Sequence, residues 1–260
     1  MKQEQDYREY YTSRDVAKEY DETSYGTATY ASLLWRIQKS ILIRFLVRLR
    51  TRRSRIRYLD FACGTGRVAA VVENFVDESY GLDISQAMLD RAATRTKHTR
   101  LIKGDMTMDE NVIMGKFDLI TAFRFVLNAQ PELRKRALSM LCKAMSGDES
   151  YLIFNMHTNK YSYAFVSWLW YAIFGQAEGK DVRRYMSRHD CVKMANDAGL
   201  HVIQVRGVGF VSGKLFNVFP WRLVMFVETV LSRMPWSGVL GTDLLFFCVK
   251  KEDGGAKIAY

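Results

Sequence analysis

The stretch YLDFACGTGRVAA, Tyr58 to Ala70, decides the fold. An apolar run closes on Asp60, a turn carrying Gly64 and Gly66 follows, and apolar residues then return at helical spacing. This reads as a strand, a tight turn and a helix. Glycines at such a turn tolerate unusual backbone angles and let another group come close to the bare chain. The helix start behind them offers unpaired amides to a polar or anionic group. A purely structural turn accounts for one glycine more easily than for two with a helix behind them.

Outward from that turn the alternation repeats. SYGLDIS reads as a strand, SQAMLDRAATR as a helix, and TRLIKGDM and KFDLITAF as strands; PELRKRALSMLCKAM is a helix opened by Pro131, and SYLIFNMH is a strand. Beyond His157, SRHDCVKMANDAGL reads as a helix with Ser187 as N-cap and Gly199 as its stop. LHVIQVRGVGF is a strand, NVFPWRLVMFVETVLSRM a helix with Pro220 in its first turn, and DLLFFCVKK a final strand. Strands alternating with helices predict an α/β fold, a doubly wound, mainly parallel sheet with helices on both faces.

The chain has 260 residues, 48% of them hydrophobic, enough for one sizeable core. Cys63, Cys142, Cys191 and Cys248 are scattered without a CxxC, and the start lacks a signal-peptide pattern; they read as reduced thiols of the cytoplasm. No His or Cys pair stands at metal-ligand spacing, so no metal is expected. The longest apolar run, Tyr161 to Gly175, is shorter than the roughly 20 residues a spanning helix needs. A net charge of +10 suits an anionic partner: nucleic acid, an anionic membrane surface or a phosphorylated substrate. An amphipathic helix from Ala31, with Leu33, Leu34, Ile37, Ile41, Leu42, Phe45, Leu46 and Leu49 on one face, runs into Arg44, Arg48, Arg50, Arg52, Arg53, Arg55 and Arg57. That cluster reads either as a solvated face and linker or as a docking site for phosphate or membrane.

The glycine turn suits two cofactor classes. Gly64, Gly66 and Ala69 fit the G-x-G-x-x-G/A dinucleotide fingerprint, and Asp83 follows at the spacing where an acid takes ribose hydroxyls. Against a dinucleotide, Asp60 would repel a pyrophosphate and suits a cationic ligand. Gly104-Asp105-Met106 adds another acid at the third strand, where an adenine amino group could donate to it.

The series LDFACGTG, GLDIS, GDM and FDLITAF resembles the motifs of class I S-adenosylmethionine-dependent methyltransferases of the small-molecule type, over about residues 55 to 157. YYTSRDVAKEYDE resembles the segment that closes over the methyl donor in many of them, and RRYMSRHDCVKMANDAGL their later helix before the sixth strand. The resemblance implies a Rossmann-like sheet of seven strands with an antiparallel last strand and helical cap insertions. It implies one domain over 1–260: a helical cap at 1–54, a donor-binding core at 55–157, and an acceptor-side half at 158–260 with insertions at 158–186 and 212–240. S-adenosylmethionine is the implied cofactor. Asp60 and the turn from Ala62 through Gly64 to Gly66 would hold its amino-acid part, Asp83 the ribose, Ile84 a face of the adenine, Asp105 the adenine amino group with Met106 beside the ring; Phe123 and Arg124 would line the pocket. Cys63 reads as packing rather than as a nucleophile.

The implied reaction moves a methyl group to O or N of an acceptor. A hydroxyl acceptor gains from a base. His157, at the end of the fifth strand, is the base candidate, or else a polar lining residue with Asn155, Asn128 and Tyr161. FRFVLNAQP after the fourth strand lacks the D/N-P-P-aromatic motif of amino-directed enzymes, and no Pro-Cys pair of the cytosine C5 type is present. Nucleic acid is therefore disfavoured, leaving a small-molecule, glycan-linked or lipid-linked acceptor. Residues 161–175 and 217–234 are rich in aromatics and Met, with Arg222, Thr229 and Arg233 on a narrow polar strip of the latter. They read as core and cap packing, as an apolar lid, or as a face lying on an anionic membrane at its inner surface. An NAD(P)-dependent oxidoreductase and a catalytically inactive donor-binding protein are the alternative functions.

Overall fold

The β-strands are short apolar runs of four to nine residues bounded by turns, and in a computed structural model they assemble into one seven-stranded sheet. The structure describes residues 7–12, 29–113, 115–147, 149–163 and 185–251. Its strands are β1 (Arg57–Phe61), β2 (Glu78–Asp83), β3 (Thr99–Lys103), β4 (Leu119–Ala122), β5 (Tyr151–Met156), β6 (Leu200–Val208) and β7 (Asp243–Lys250). The order is β3-β2-β1-β4-β5-β7-β6. β1 to β5 pair in parallel, and β7 runs antiparallel between β5 and β6. Strand order reverses between β1 and β4, which places a crevice beyond their carboxyl ends.

The described helices are α1 (Tyr7–Thr12), α2 (Tyr30–Arg52), α3 (Ala69–Val72), α4 (Gln86–Arg95), α5 (Pro131–Ala144), α6 (Arg188–Asp197), α7 (Gly213–Val218), α8 (Trp221–Arg233) and α9 (Ser237–Leu240). Alternation along the central strands sends side chains to two cores. Leu59, Ile120, Leu152, Phe154, Leu244 and Phe246 pack with α5 and α6 on one face. Tyr58, Leu119, Ile153, Leu245 and Phe247 pack with α2 and α8 on the other. Both sides of β7 are thus buried, which is why it reads as an unbroken apolar run.

Local signals set several boundaries. Thr29 caps α2 by accepting from the Ser32 amide at 3.1 Å. Ser187 and Asp190 form a reciprocal capping box at α6, and Gly199 ends that helix at φ +83°. Two expectations need correcting. The helix expected over GRVAAVVENF contracts to Ala69–Val72, and the following Glu73 carboxylate accepts from the amides of Lys97, His98 and Thr99 to set the entry into β3. The single helix expected across Pro220 is two: α7 stops at Val218 and Pro220 caps α8. Proline has no amide to continue the ladder and pushes the residue before it to extended backbone. Of the stretch 161–175, residues 164–175 lie outside the described residues.

Candidate functional site

At the switch point the backbone takes costly shapes. Among the described residues three non-glycines have positive φ, namely Ala62 at 51°, Arg124 at 60° and Thr158 at 60°. They follow β1, β4 and β5, three neighbouring strands. Such residues cost roughly 1–3 kcal/mol each and persist where the surroundings hold them. Here the hold is visible at Arg124: its amide donates to the buried Asn155 Oδ1 at 2.6 Å, and its carbonyl accepts from Asn128 Nδ2 at 2.6 Å.

The two glycines of the turn do different things. Gly66, at φ +72°, packs against α4; an added Cβ would lie 2.9 Å from the Ala92 Cβ. It therefore serves the close approach of turn and helix and does not line the cavity. Gly64, at φ +54°, would point a Cβ into open space, and that space is the cavity beyond the strand ends.

Asp60 lies opposite Thr121 in the β1–β4 pairing. Its Oδ1 accepts from Thr121 Oγ1 at 2.7 Å and its Oδ2 from the Ala69 amide at 3.1 Å. Because Thr121 spends its proton on Asp60, the Tyr58 hydroxyl 2.6 Å away donates to Thr121, giving a relay of Tyr58, Thr121 and Asp60. Burial raises the Asp60 carboxyl from 3.8 to about 7, with the hydrogen bonds from Thr121 and Ala69 opposing it. Asp83 ends β2, accepting from the Gly64 amide at 2.7 Å and the Ser85 amide at 2.9 Å; burial raises its pKa as well. These bonds tie the glycine turn to the next strand.

Asp105 follows β3. Thr107 donates to its Oδ1 from both amide and hydroxyl, and Arg8 Nε of α1 meets its Oδ2 at 2.6 Å. Desolvation would raise this carboxyl, but the bonds from Thr107 and Arg8 hold it below the usual range. Arg8 also donates to Thr107 Oγ1 at 2.8 Å. Helix α1 thereby covers the cavity, with Tyr7 edge-on to Phe125 at 5.4 Å between ring centres.

Ala62, Gly64, Asp60, Asp83, Ile84, Asp105, Phe123 and Arg124 all line this one cavity. Met106 does not: it is buried in the core with Ile113 and Phe117, because β3 ends at Lys103 and the chain has turned inward by then. His157 does not line it either. It follows β5, and its Nδ1 is buried without a partner. Burial, and secondarily the Arg124 cation, push its pKa well below the usual value, so the imidazole is neutral at pH 7. All four cysteines are free and buried; burial pushes the Cys63 thiol well up, which agrees with a packing residue.

Sequence reading did not single out several lining residues: Tyr7 and Arg8 of α1, Arg67, Met88 and Thr107, whereas Tyr11 belongs to the segment read as closing over the donor. Arg67 stacks over Trp35 at 4.6 Å. Of these only α1 carried a signal, the Tyr-rich start; its continuation through residues 13–28 lies outside the described residues. Glu228 was also missed. It is fully buried on α8 and accepts from the amides of Gly209, Phe210 and Val211 and from the Tyr30 hydroxyl, pinning the end of β6 to α8 and α2.

Residues 34–205 match the family described as methyltransferase domain. No curated protein sequence matches. Among solved structures, magnesium protoporphyrin IX methyltransferase from Synechocystis PCC 6803 with bound SAH is 13% identical, covering 94% of this chain and 98% of that one at a TM-score of 0.65. An S-adenosylmethionine-dependent methyltransferase from Clostridium acetobutylicum ATCC 824 is 15% identical over 92% of this chain and 98% of that one, TM-score 0.58. One from Archaeoglobus fulgidus is 15% identical over 89% and 98%, TM-score 0.57. These likenesses agree in fold, and the family match spans most of the chain. The cavity fits the donor: Gly64 leaves its space open, and buried carboxylates at the ends of β1 and β2 face it. The chain belongs to the methyltransferase domain family and is a class I S-adenosylmethionine-dependent methyltransferase.

Proposed function

We propose that this methyltransferase acts on an oxygen or nitrogen of a small-molecule, glycan-linked or lipid-linked acceptor that enters beside β4 and β5. The observation that carries the donor assignment is the open space at Gly64, flanked by Asp60 and Asp83. In this reading Asp60 and the Ala62–Gly64 turn face the cationic amino-acid end, Asp83 the ribose hydroxyls, Ile84 the adenine face and Asp105 the adenine amino group. Asp105 would then share its carboxylate between ligand and Arg8, so α1 and the donor are coupled. S-adenosylmethionine supplies a methyl group on a sulfonium, a good leaving group, so much of the rate can come from orientation and exclusion of water. Tyr7 and Arg8 exclude water; Phe123 and Arg124 shape the acceptor side.

His157 is the residue proposed to take a proton from an acceptor hydroxyl. Burial keeps the imidazole neutral, the protonation state from which a base accepts a proton. The test is a transfer assay with labelled donor over lipid, glycan and quinone-like acceptors. On the acceptor found, His157→Ala should cut turnover by roughly 10²–10⁴ while S-adenosylhomocysteine affinity is kept. A loss below about tenfold would return His157 to a lining role.

A second reading concerns location. Val218, Phe219, Trp221, Leu223 and Phe226 of the α7–α8 region are exposed, Phe226 to 66%. Arg36 and Arg222 flank the Trp221 ring at 5.5 and 6.0 Å. This combination supports peripheral contact of a cytoplasmic enzyme with an anionic membrane surface. No described helix is long and apolar enough to cross a membrane. Flotation with anionic and neutral liposomes tests the contact; no binding to anionic liposomes at low salt overturns it.

A further inference from the structure

The arginine run that ends α2 does not stay together as a surface. Arg50 meets Asp77 at 2.6 Å, Arg53 meets Asp118 at 2.7 Å, and Arg55 meets Glu78 at 2.6 Å. Those cations are answered within the fold. Arg44 and Arg48, one turn apart on α2, are not in that group. They face Arg206 of β6 and Arg233, the last residue of α8, across a groove of about 340 Å³. Among the described residues no carboxylate pairs with any of these four arginines.

The groove is built rather than incidental. Its floor is Ile41, Phe45 and Phe247, from α2 and β7. An apolar floor lowers the local dielectric and strengthens any charge interaction above it. With its amide turned so that the oxygen faces Arg206, Gln204 accepts from Arg206 Nε and Nη2 at 3.2 and 3.1 Å, an orientation that holds the guanidinium at the groove. Desolvation, then the neighbouring Arg233, Arg206 and Arg48, lower the Arg44 pKa, as expected of cations crowded without a counter-charge. The groove shares no lining residue with the donor cavity.

We propose that this groove is a binding site for phosphate groups, held by Arg44, Arg48, Arg206 and Arg233. Guanidinium forks match phosphate oxygens in pairs, and several converging forks favour a ligand with more than one negative charge, a diphosphate or an anionic phospholipid headgroup. The site is independent of the methyl-transfer reading: it neither uses nor touches the donor-binding residues.

The test uses the full chain and two probes at low salt: inorganic diphosphate by calorimetry, and phosphatidylglycerol against phosphatidylcholine vesicles by flotation. The variant is Arg206→Gln with Arg233→Gln, and the charge-matched control is Lys97→Gln with Lys103→Gln, two exposed lysines, one just before β3 and the other its last residue. The expected result is binding weakened at least about tenfold in the groove variant and less than about twofold in the control. Diphosphate binding with that pattern assigns a soluble phosphate ligand; binding confined to phosphatidylglycerol vesicles with that pattern assigns a headgroup. Binding of neither probe by the parent protein, or equal losses in both variants, overturns the site. Unchanged S-adenosylhomocysteine affinity in the groove variant shows that it is folded and keeps this outcome separate from the donor assignment.

Discussion

The cavity beyond the strand ends and the arginine groove treat charge in opposite ways. In the cavity, acids are drawn under the surface and answered by the fold itself: Asp60 by Thr121 and Ala69, Asp83 by Gly64 and Ser85, Asp105 by Thr107 and Arg8. In the groove, four cations stand above an apolar floor and the described residues bring them no acid. An internally answered charge is held in place before any ligand arrives. An unanswered one repels its neighbours until something external neutralises it. Each region therefore carries its own cost, desolvation in the first and repulsion in the second, and each can be measured.

The largest effect expected is at Asp60. Its carboxyl rises from 3.8 to about 7 on folding, so between those pH values the folded state holds a proton that the unfolded state has lost. The cost of this group is therefore absent below about pH 4, grows as pH rises, and is complete above about pH 7, reaching up to about 4 kcal/mol. Thermal melts of the ligand-free protein across that window should show Asp60→Asn removing this downward contribution. Parallel pH curves for parent and variant would mean that Asp60 is already ionised at acid pH, and the contrast with the groove would shrink.

Next comes Asp83. Asp83→Ala should weaken S-adenosylhomocysteine binding by about 2–4 kcal/mol, the value of two charge-assisted hydrogen bonds less some compensation by water. The same change strips Gly64 and Ser85 of their acceptor, so melting of the ligand-free variant separates lost stability from lost binding. Unchanged affinity in a folded variant would remove Asp83 from the donor site.

The smallest effect lies in the groove. Arg44 and Arg48 are a like-charged pair four residues apart on α2, so Arg48→Gln should stabilise the free protein by about 0.2–0.5 kcal/mol in low salt and by less in high salt. A measured loss of stability would show that Arg48 is already neutralised, and would count against an open site.

The cavity beyond the strand ends was legible in the sequence because its parts are local. A strand, a tight turn and a helix bring Asp60 and Gly64 together within a few residues, and the parallel register repeats that geometry at Asp83. Met106 packs in the core outside the cavity lining, since the position of a strand end decides which way the next residues face, and β3 stops at Lys103. The split at Pro220 was legible in principle, since proline and its predecessor both resist helix. Ala62, Arg124 and Thr158 carry no composition signal for a left-handed backbone; their surroundings impose it. Glu228 looked like one polar residue on an apolar helix, and its four donors lie on two other segments. The groove was only half legible for the same reason: the sequence run from Arg44 to Arg57 is partly neutralised by Asp77, Glu78 and Asp118, while Arg206 and Arg233 arrive from far along the chain.

The placement of β7 has a bearing on how the molecule is made. It lies between β5 and β6, and among the described residues β7 is β6's only strand partner. A ribosome delivers residues 200–208 well before 243–250. Until the later segment emerges, β5 keeps an open edge and β6 has no ladder to join. The parallel half, β1 to β5, can close as it is synthesised; the rest must wait and then insert a strand into a gap. Such late, long-range pairing is slow and leaves apolar strand surface exposed to other nascent chains. Yield of folded protein should accordingly depend on what shields residues 200–240 during that interval, more than on any single contact in the finished sheet.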